Sequence, residues 1–322
     1  LLNIINLMNT IRQVVKDILY VSKLTGIKNK KLLISISIIL SQLTAGIDLL
    51  LIATFASIIA NQFTNIELLN NLLNYFIEYK IVVLFLVIFR YLVYYTQFAI
   101  LKKIEFDVLL SLKNYMFEKI LEQKNYSTSD TYYYINTLCG HISFFYSNFA
   151  DFLNYFMQAF AYLLYLLIAD VQLITFFGVG VLFLGYPIYR LIKAGREYMH
   201  KTFIYGRDAT NETVNVVENL SLIKILRMEK YQLKRFSEIM KKSYHVVFRN
   251  EQVSFLNNQL PNFFTLLIFS IILNFGQFVS KLTLDFLGVT IRLFQSVSKI
   301  ADSISRVANA QVHIQEFVEI EK

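Results

Sequence analysis

In 322 residues the sequence has one cysteine, two prolines, ten glycines and no tryptophan. The lone thiol, Cys139, excludes an internal disulfide and a cysteine-based metal cage. The four histidines, His141, His200, His245 and His313, are scattered. They form no H-E-x-x-H spacing, so no metal site is visible in the sequence. Charge is sparse as well: 17% of residues are Asp, Glu, Lys or Arg, against about a quarter in soluble domains. So little proline and glycine leaves few positions that break a helix. The first residues, opening at Leu1, lack the basic region, short apolar core and small-residue cleavage site of a secretory signal.

What the chain has instead is apolar surface. Its hydrophobic fraction is 56% and its mean hydropathy +0.48, more than one soluble core of this size holds. A helical span needs about 20 mainly apolar residues. Six stretches qualify, at residues 32–60, 81–101, 152–169, 171–189, within 252–280, and 282–300. Asp48 interrupts the first and Arg90 the second, while the third and fourth carry no charge. The fifth contains Pro261, and Asp285, Arg292 and Lys299 fall in the sixth. The fold class expected is all-α, with six transmembrane helices.

The links alternate in length. Spans three and four meet in a tight hairpin at Ala169, Asp170 and Val171, spans five and six are joined at residues 276–281, and spans one and two at residues 61–80. The links between spans two and three and between four and five are about 50 and about 60 residues long. Lys28, Lys30, Lys31, Lys102, Lys103, Arg190, Lys193 and Arg196 flank the spans on the long-link side, against Lys80 and Lys281 on the other. The positive-inside rule then places the long links and both termini in the cytoplasm. The net charge of +8 is thereby topological, and no nucleic-acid partner is expected.

The long links repeat with helical spacing, through Val108, Leu109, Leu112, Tyr115, Met116 and Ile120 and through Val214, Val217, Leu220, Ile223 and Leu226. Helices are expected to continue into the cytoplasm over about 102–150 and 190–251. Each excursion ends in a short transverse helix, at residues 127–134 and 213–219. At 1.5 Å per residue a limb of 20–25 residues reaches roughly 30–40 Å below the membrane. Residues 4–19 carry an apolar stripe opposite Arg12, Lys16 and Asp17. The region 1–30 therefore reads as an amphipathic helix, on the inner leaflet or packed against its neighbours.

Ionisable residues inside a span are costly and face partners or cavities. Asp48, Arg90 and Arg292 all fall at about 15 Å depth. Two readings stand: a structural Asp48–Arg90 pair, or a lined translocation cavity that takes substrate. Arg292, Lys299 and Arg306 recur every seven residues and so stay near one helix face, a stripe suited to an anionic head group. Asn257, Asn258, Gln259 and Asn262 offer amides to sugar hydroxyls or to neighbouring helices. The candidate cavity set is Asp48, Arg90, Arg292, Lys299, Asn258 and Asn262. The run Tyr132, Tyr133, Tyr134 suggests packing, and no nucleophilic arrangement assigns a catalytic residue.

Several segments resemble one family. Val217-Glu218-Asn219-Leu220-Ser221-Leu222-Ile223-Lys224-Ile225-Leu226, then Met228-Glu229-Lys230 and Lys234-Arg235-Phe236, is similar to the segment around and after the second coupling helix of ABC exporters. Leu112-Lys113-Asn114-Tyr115-Met116-Phe117-Glu118-Lys119-Ile120-Leu121 with Tyr126, and Ala310-Gln311-Val312-His313-Ile314-Gln315-Glu316-Phe317, fit the same order. The whole chain thus resembles the transmembrane domain (residues 31–322) of an ABC exporter-type transporter. Gly140 before His141, Pro261, and Lys299 with Arg306 are similar to the lipid-linked oligosaccharide flippases, although Asn262 and Thr265 stand where that group tends to have Arg and Glu.

The resemblance implies a dimer, with a second and identical transmembrane half, moving a lipid-linked saccharide or other amphipathic lipid across a plasma (bacterial inner) membrane. Ser127, Asp130, Thr131 and Tyr132, with Thr213, Val216, Glu218 and Asn219, would couple it to an ATPase domain, fused or separate. No G-x-x-x-x-G-K-[ST] occurs in the chain. ATP and Mg are therefore expected in a nucleotide-binding domain following residue 322, and the chain itself carries no cofactor. The other functions considered are a proton-driven transporter of similar shape, a peptide or drug exporter, and a membrane-embedded transferase.

Overall fold

The computed structural model of the chain describes residues 16, 19–21, 23–25, 30–60, 67–122, 127–274 and 283–320, and among them there is no strand. The expected amphipathic helix over residues 4–19 lies outside the described residues apart from Lys16 and Leu19, as does the link at 276–281. Nine α-helices follow residue 29 among the described residues: α1 (Lys30–Ala60), α2 (Glu67–Glu78), α3 (Lys80–Glu122), α4 (Thr128–Tyr133), α5 (Cys139–Ala169), α6 (Val171–Glu218), α7 (Leu220–Ile225), α8 (Glu229–Asn274) and α9 (Leu284–Ile320). A π-helical turn, Tyr134–Leu138, joins α4 to α5.

The all-α class holds among the described residues. Three stretches, Lys31–Ile59, Ile81–Glu122 and Asp130–Ala169, are long and apolar enough to cross a membrane among the described residues, where the sequence led us to expect six spans. The remaining expected spans lie in α6, α8 and α9, which are formed. No glycine or proline interrupts α3, so it continues from its apolar half into its charged half without a break. With 43, 48 and 46 residues, α3, α6 and α8 are roughly 65–72 Å long, over twice the hydrocarbon thickness of a bilayer.

The hairpin expected at Asp170 is a one-residue link. Asp170 is extended (φ −158°, ψ 110°) and its N–H closes the last turn of α5 on Leu166 O at 3.0 Å. The short helix expected at the first excursion tip is α4, Thr128–Tyr133. Ser127 caps it: its Oγ accepts the Asp130 N–H at 3.1 Å and donates to Asp130 Oδ2 at 2.8 Å. Tyr133, Tyr134, Leu138 and Cys139 keep helical angles and carry the chain through the π turn into α5. At the second tip residues 213–218 still belong to α6. Nothing in Ala209–Glu218 breaks a helix, and Thr213 Oγ1 bonds back to Ala209 O at 2.8 Å. The break comes at Asn219 (φ −101°, ψ 18°), and the short helix is α7, one turn later. Arg227 then adopts a left-handed φ of 53°, which redirects the chain into α8.

Packing sorts the long helices into pairs: α5 runs along α9, and α6 along α8, while α1 lies between α3 and α5. Polarity is inverted relative to a water-soluble bundle. Ser37, Ser41, Thr44, Asp48, Asn154 and Gln158 are buried, whereas Ile81, Leu84, Phe85, Tyr91, Leu92 and Tyr95 of α3 are 53–69% exposed. So continuous an exposed apolar face calls for lipid or a protein partner. Inside, Asn154 Nδ2 donates to Ser37 Oγ (2.7 Å) and Ser41 Oγ to Asn154 O (3.1 Å), joining α1 to α5.

Ion pairs stitch the excursions, with Asp130 Oδ1 to Arg207 Nη2 at 3.0 Å and Glu212 Oε2 to Arg235 Nη2 at 3.1 Å. In the apolar core between them, His141 and His313 stack with centroids 4.2 Å apart and planes 7° from parallel. Burial pushes the His313 imidazole down to about 3 and lowers His141 as well, so both are neutral aromatic packing groups at pH 7.

Helices α1 and α9 meet at Gly288, where an added Cβ would stand 2.6 Å from Ile52 Cγ2. Gly288→Ala is expected to lower the thermal midpoint in detergent through about 1–3 kcal/mol of overpacking. Adding Ile52→Ala should recover part of the loss. An unchanged midpoint in the single variant would show that the two helices part freely there.

Candidate functional site

The charges expected at one depth converge on one carboxylate. Asp48, on α1, is 4% exposed. The Arg90 guanidinium of α3 grips it as a fork, with Nε on Oδ1 and Nη2 on Oδ2 at 3.1 Å. Arg292 Nε of α9 lies 3.6 Å from Oδ2, and the Tyr162 hydroxyl of α5 donates to the same oxygen at 3.3 Å. Four helices therefore meet at one side chain. A planar guanidinium satisfies a carboxylate bidentately, where an ammonium offers a single point charge. The desolvation of a buried acid is offset only by such close partners.

The cluster forms one wall of a cavity of about 240 Å³. Arg90, Arg292 and Lys299 are the cations lining it, against the single carboxylate of Asp48, with Thr44 and Gln158 among its neutral polar groups. Arg292 is only partly engaged: its side chain is 38% exposed, and Nη1 also donates to Gln295 Oε1 at 3.3 Å. The cations lining the cavity outnumber its carboxylate, which makes its local potential positive.

Asn258 and Asn262 do not line this cavity. Asn258 faces α9 instead: Ser298 Oγ donates to its backbone O, and to its Oδ1 at 2.9 Å. Asn257 Nδ2 donates to Ala301 O at 2.9 Å. These amides thus belong to the α8–α9 contact, where the Ser298 hydroxyl and the Ala301 carbonyl are their partners. Asn262 is half-buried on α8, one turn beyond.

Of the residues proposed for coupling, Ser127 and Asp130 build the α4 cap, Thr131 is half-buried with its N–H on Ser127 O at 3.0 Å, and Tyr132 is 59% exposed beside buried Tyr133 and Tyr134. Thr213 and Val216 line a largely apolar cleft of about 290 Å³ between α6, α7 and α8, with Leu220, Ile223, Leu233 and Phe236. Glu218 is the last residue of α6, and Asn219 Nδ2 caps it on Asn215 O at 2.9 Å. On α7 and just after it, Leu220, Leu222, Ile225 and Leu226 are all exposed, an apolar tip open to a partner.

Sequence reasoning passed over Tyr162, Gln158, Tyr94 and Tyr155, which complete the cavity wall. Their signal is faint but present. Asn154, Gln158, Tyr162 and Tyr165 recur at intervals of 4, 4 and 3 in a span otherwise without charge, a polar stripe on one helix face. Among the described residues no group of three or more His, Cys, Asp or Glu is placed to hold a metal.

Asp48→Asn takes the carboxylate from Arg90, and Arg90→Gln leaves the buried Asp48 with the longer contacts to Arg292 and Tyr162. Asp48→Asn or Arg90→Gln is expected to lower stability in detergent by on the order of 2–3 kcal/mol, read as a shifted thermal midpoint. The double variant should recover part of it, and strictly additive losses would show that the pair does not hold α1 to α3. No protein-family model matches the sequence and no curated protein is similar to it, so the chemistry of this site rests on its own residues.

Proposed function

We propose that the chain is the transmembrane half of an ATP-driven exporter or flippase of the ABC exporter type, working as a dimer by alternating access. The observation that carries this reading is the length of α3, α6 and α8. They run far past a hydrocarbon core of about 30 Å and end in short exposed elements, where most membrane bundles end in compact loops. In this reading α6, α8 and α9 provide spans four to six beside the three apolar helices, and both termini are cytoplasmic. The tips at Ser127, Asp130, Thr131 and Tyr132 and at Val216 through α7 dock on nucleotide-binding domains, fused or separate. ATP and Mg belong to those domains. The chain has no phosphate-cradling loop, and no step of hydrolysis is assigned to its residues.

The cavity supports an anionic, amphipathic substrate such as a lipid-linked saccharide. Its head group would meet Arg90, Arg292 and Lys299, and its tail would stay in lipid along the exposed face of α3. Of the two arginines that reach Asp48, Arg292 makes the longer contact and is the more exposed, so it can exchange that contact for a ligand oxygen at small structural cost.

In the complete transporter, Arg292→Gln should fold and assemble normally but require about tenfold more anionic lipid for half-maximal ATPase stimulation, the loss of one charge-assisted contact of roughly 1.5 kcal/mol. Unchanged stimulation across lipid concentrations would remove Arg292 from the binding site. Charge insertion at the tips, Tyr132→Asp or Val216→Asp, should leave membrane insertion intact and abolish the dependence of ATP hydrolysis on substrate. Survival of both transport and stimulation in these variants would mean that the tips are not the coupling elements.

A further inference from the structure

A second polar cavity, of about 210 Å³, opens on the seam between α3, α5 and α9. It shares Tyr94 and Tyr155 with the Asp48 cavity, but its chemistry is opposite. The two cations that reach it are already committed: Lys102 Nζ holds Glu105 at 2.9 Å, and Arg306 Nε holds Asp302 at 3.1 Å. Glu105 is satisfied further by the Ser147 hydroxyl at 3.1 Å. What remains facing the space is a set of acceptors. Gln97 is 4% exposed, and its Oε1 is buried without a hydrogen-bond partner. Asn148 spends its Nδ2 on Phe144 O at 2.6 Å, which leaves Oδ1 as its available group. Asp151 lies one helical turn further along the same face of α5 and also lines the cavity.

We propose that this cavity binds a primary alkylammonium group. An ammonium carries three N–H donors and no acceptor, which matches the Gln97 carbonyl, the Asn148 carbonyl and the Asp151 carboxylate. Lys102 and Arg306 each hold an acid of their own, and Asp151 supplies the negative charge, in a field it shares with Arg306, Lys102 and Lys299. Tyr94, Phe98 and Tyr155 add aromatic walls, which attract cations through their ring faces. The cavity has the volume of about seven waters, enough for a small amine or an ethanolamine head group but not for a long polyamine. The inference stands on these side chains alone and does not depend on the transport reading.

The test uses the full chain purified in detergent, with thermal unfolding followed against ethylammonium chloride at constant ionic strength. A saturable rise in the midpoint is expected. Tetramethylammonium, which has charge but no N–H, and Na⁺ or K⁺ should give none. Asp151→Asn should abolish the rise, and Gln97→Leu should weaken it at least fivefold. Should Asp151→Asn fail to fold, Gln97→Leu and Asn148→Ala carry the comparison. Bilayer discs of phosphatidylethanolamine against phosphatidylcholine distinguish the source. A higher midpoint in the former that is lost in Gln97→Leu identifies the lipid head group, and a response to free amine alone identifies a soluble amine. An equal response to tetramethylammonium or to alkali cations, a response unaltered in the variants, or no saturable response to either amine source overturns the proposal.

Discussion

One buried carboxylate fixes the relation of four helices. Asp48 is almost wholly buried, and its partners come from α3, α5 and α9 at once. Because Coulomb attraction between close charges is strong where the dielectric is low, the rotation of α1 about its axis is set by this single residue. The same rotation turns Ser37, Ser41 and Thr44, at spacings of four and three residues, inward with it. There Ser37 and Ser41 meet Asn154 at the close range that small side chains allow. The cavity beside Asp48 follows from the same geometry: long basic side chains anchored on one acid stand clear of the helix backbones and leave space between them.

How much of this could be read beforehand depends on the kind of signal. Apolar length and charge placement are one-dimensional properties. They located the helix over residues 32–60, the tight hairpin at residues 169–171, and the meeting of Asp48, Arg90 and Arg292. The uncharged polar residues carry much less sequence contrast. Tyr162 and Gln158 scarcely lower the hydropathy of their span, and only their spacing distinguishes the face they share. The Asn258 amide failed for another reason: a helix rotation of one position decides whether it meets a cavity or the Ser298 side chain, and hydropathy does not resolve rotation. The second tip was placed a turn too early because threonine and valine at 213–217 lower helix propensity by only tenths of a kcal/mol, while tertiary packing along α8 holds the helix to Glu218.

Cohesion in this bundle comes mainly from polar contacts and close approach inside, and its exterior is apolar. In lipid, apolar side chains gain little by leaving one hydrocarbon environment for another, so van der Waals fit and interhelical hydrogen bonds decide which helices pair. Gly288 against Ile52, Ser298 against Asn258, and Tyr165 against Asp285 at 2.8 Å are each of this kind. The excursions have different needs, and there a ring-lined apolar core with stacked neutral imidazoles takes over. The same continuous helices thus pass from one packing regime to the other without a break in the backbone.

The single extended residue between α5 and α6 has a mechanical consequence. The two helices share an end at Asp170 but touch little along their lengths, since α5 packs on α9 and α6 on α8. Their junction is therefore the vertex of a pair of dividers, too short to stretch. With α6 roughly 72 Å long, each degree of opening at the vertex would swing its far tip by about 1.3 Å. A change of angle too small to disturb any hydrogen bond near Asp170 becomes a displacement of many ångströms at Asn219.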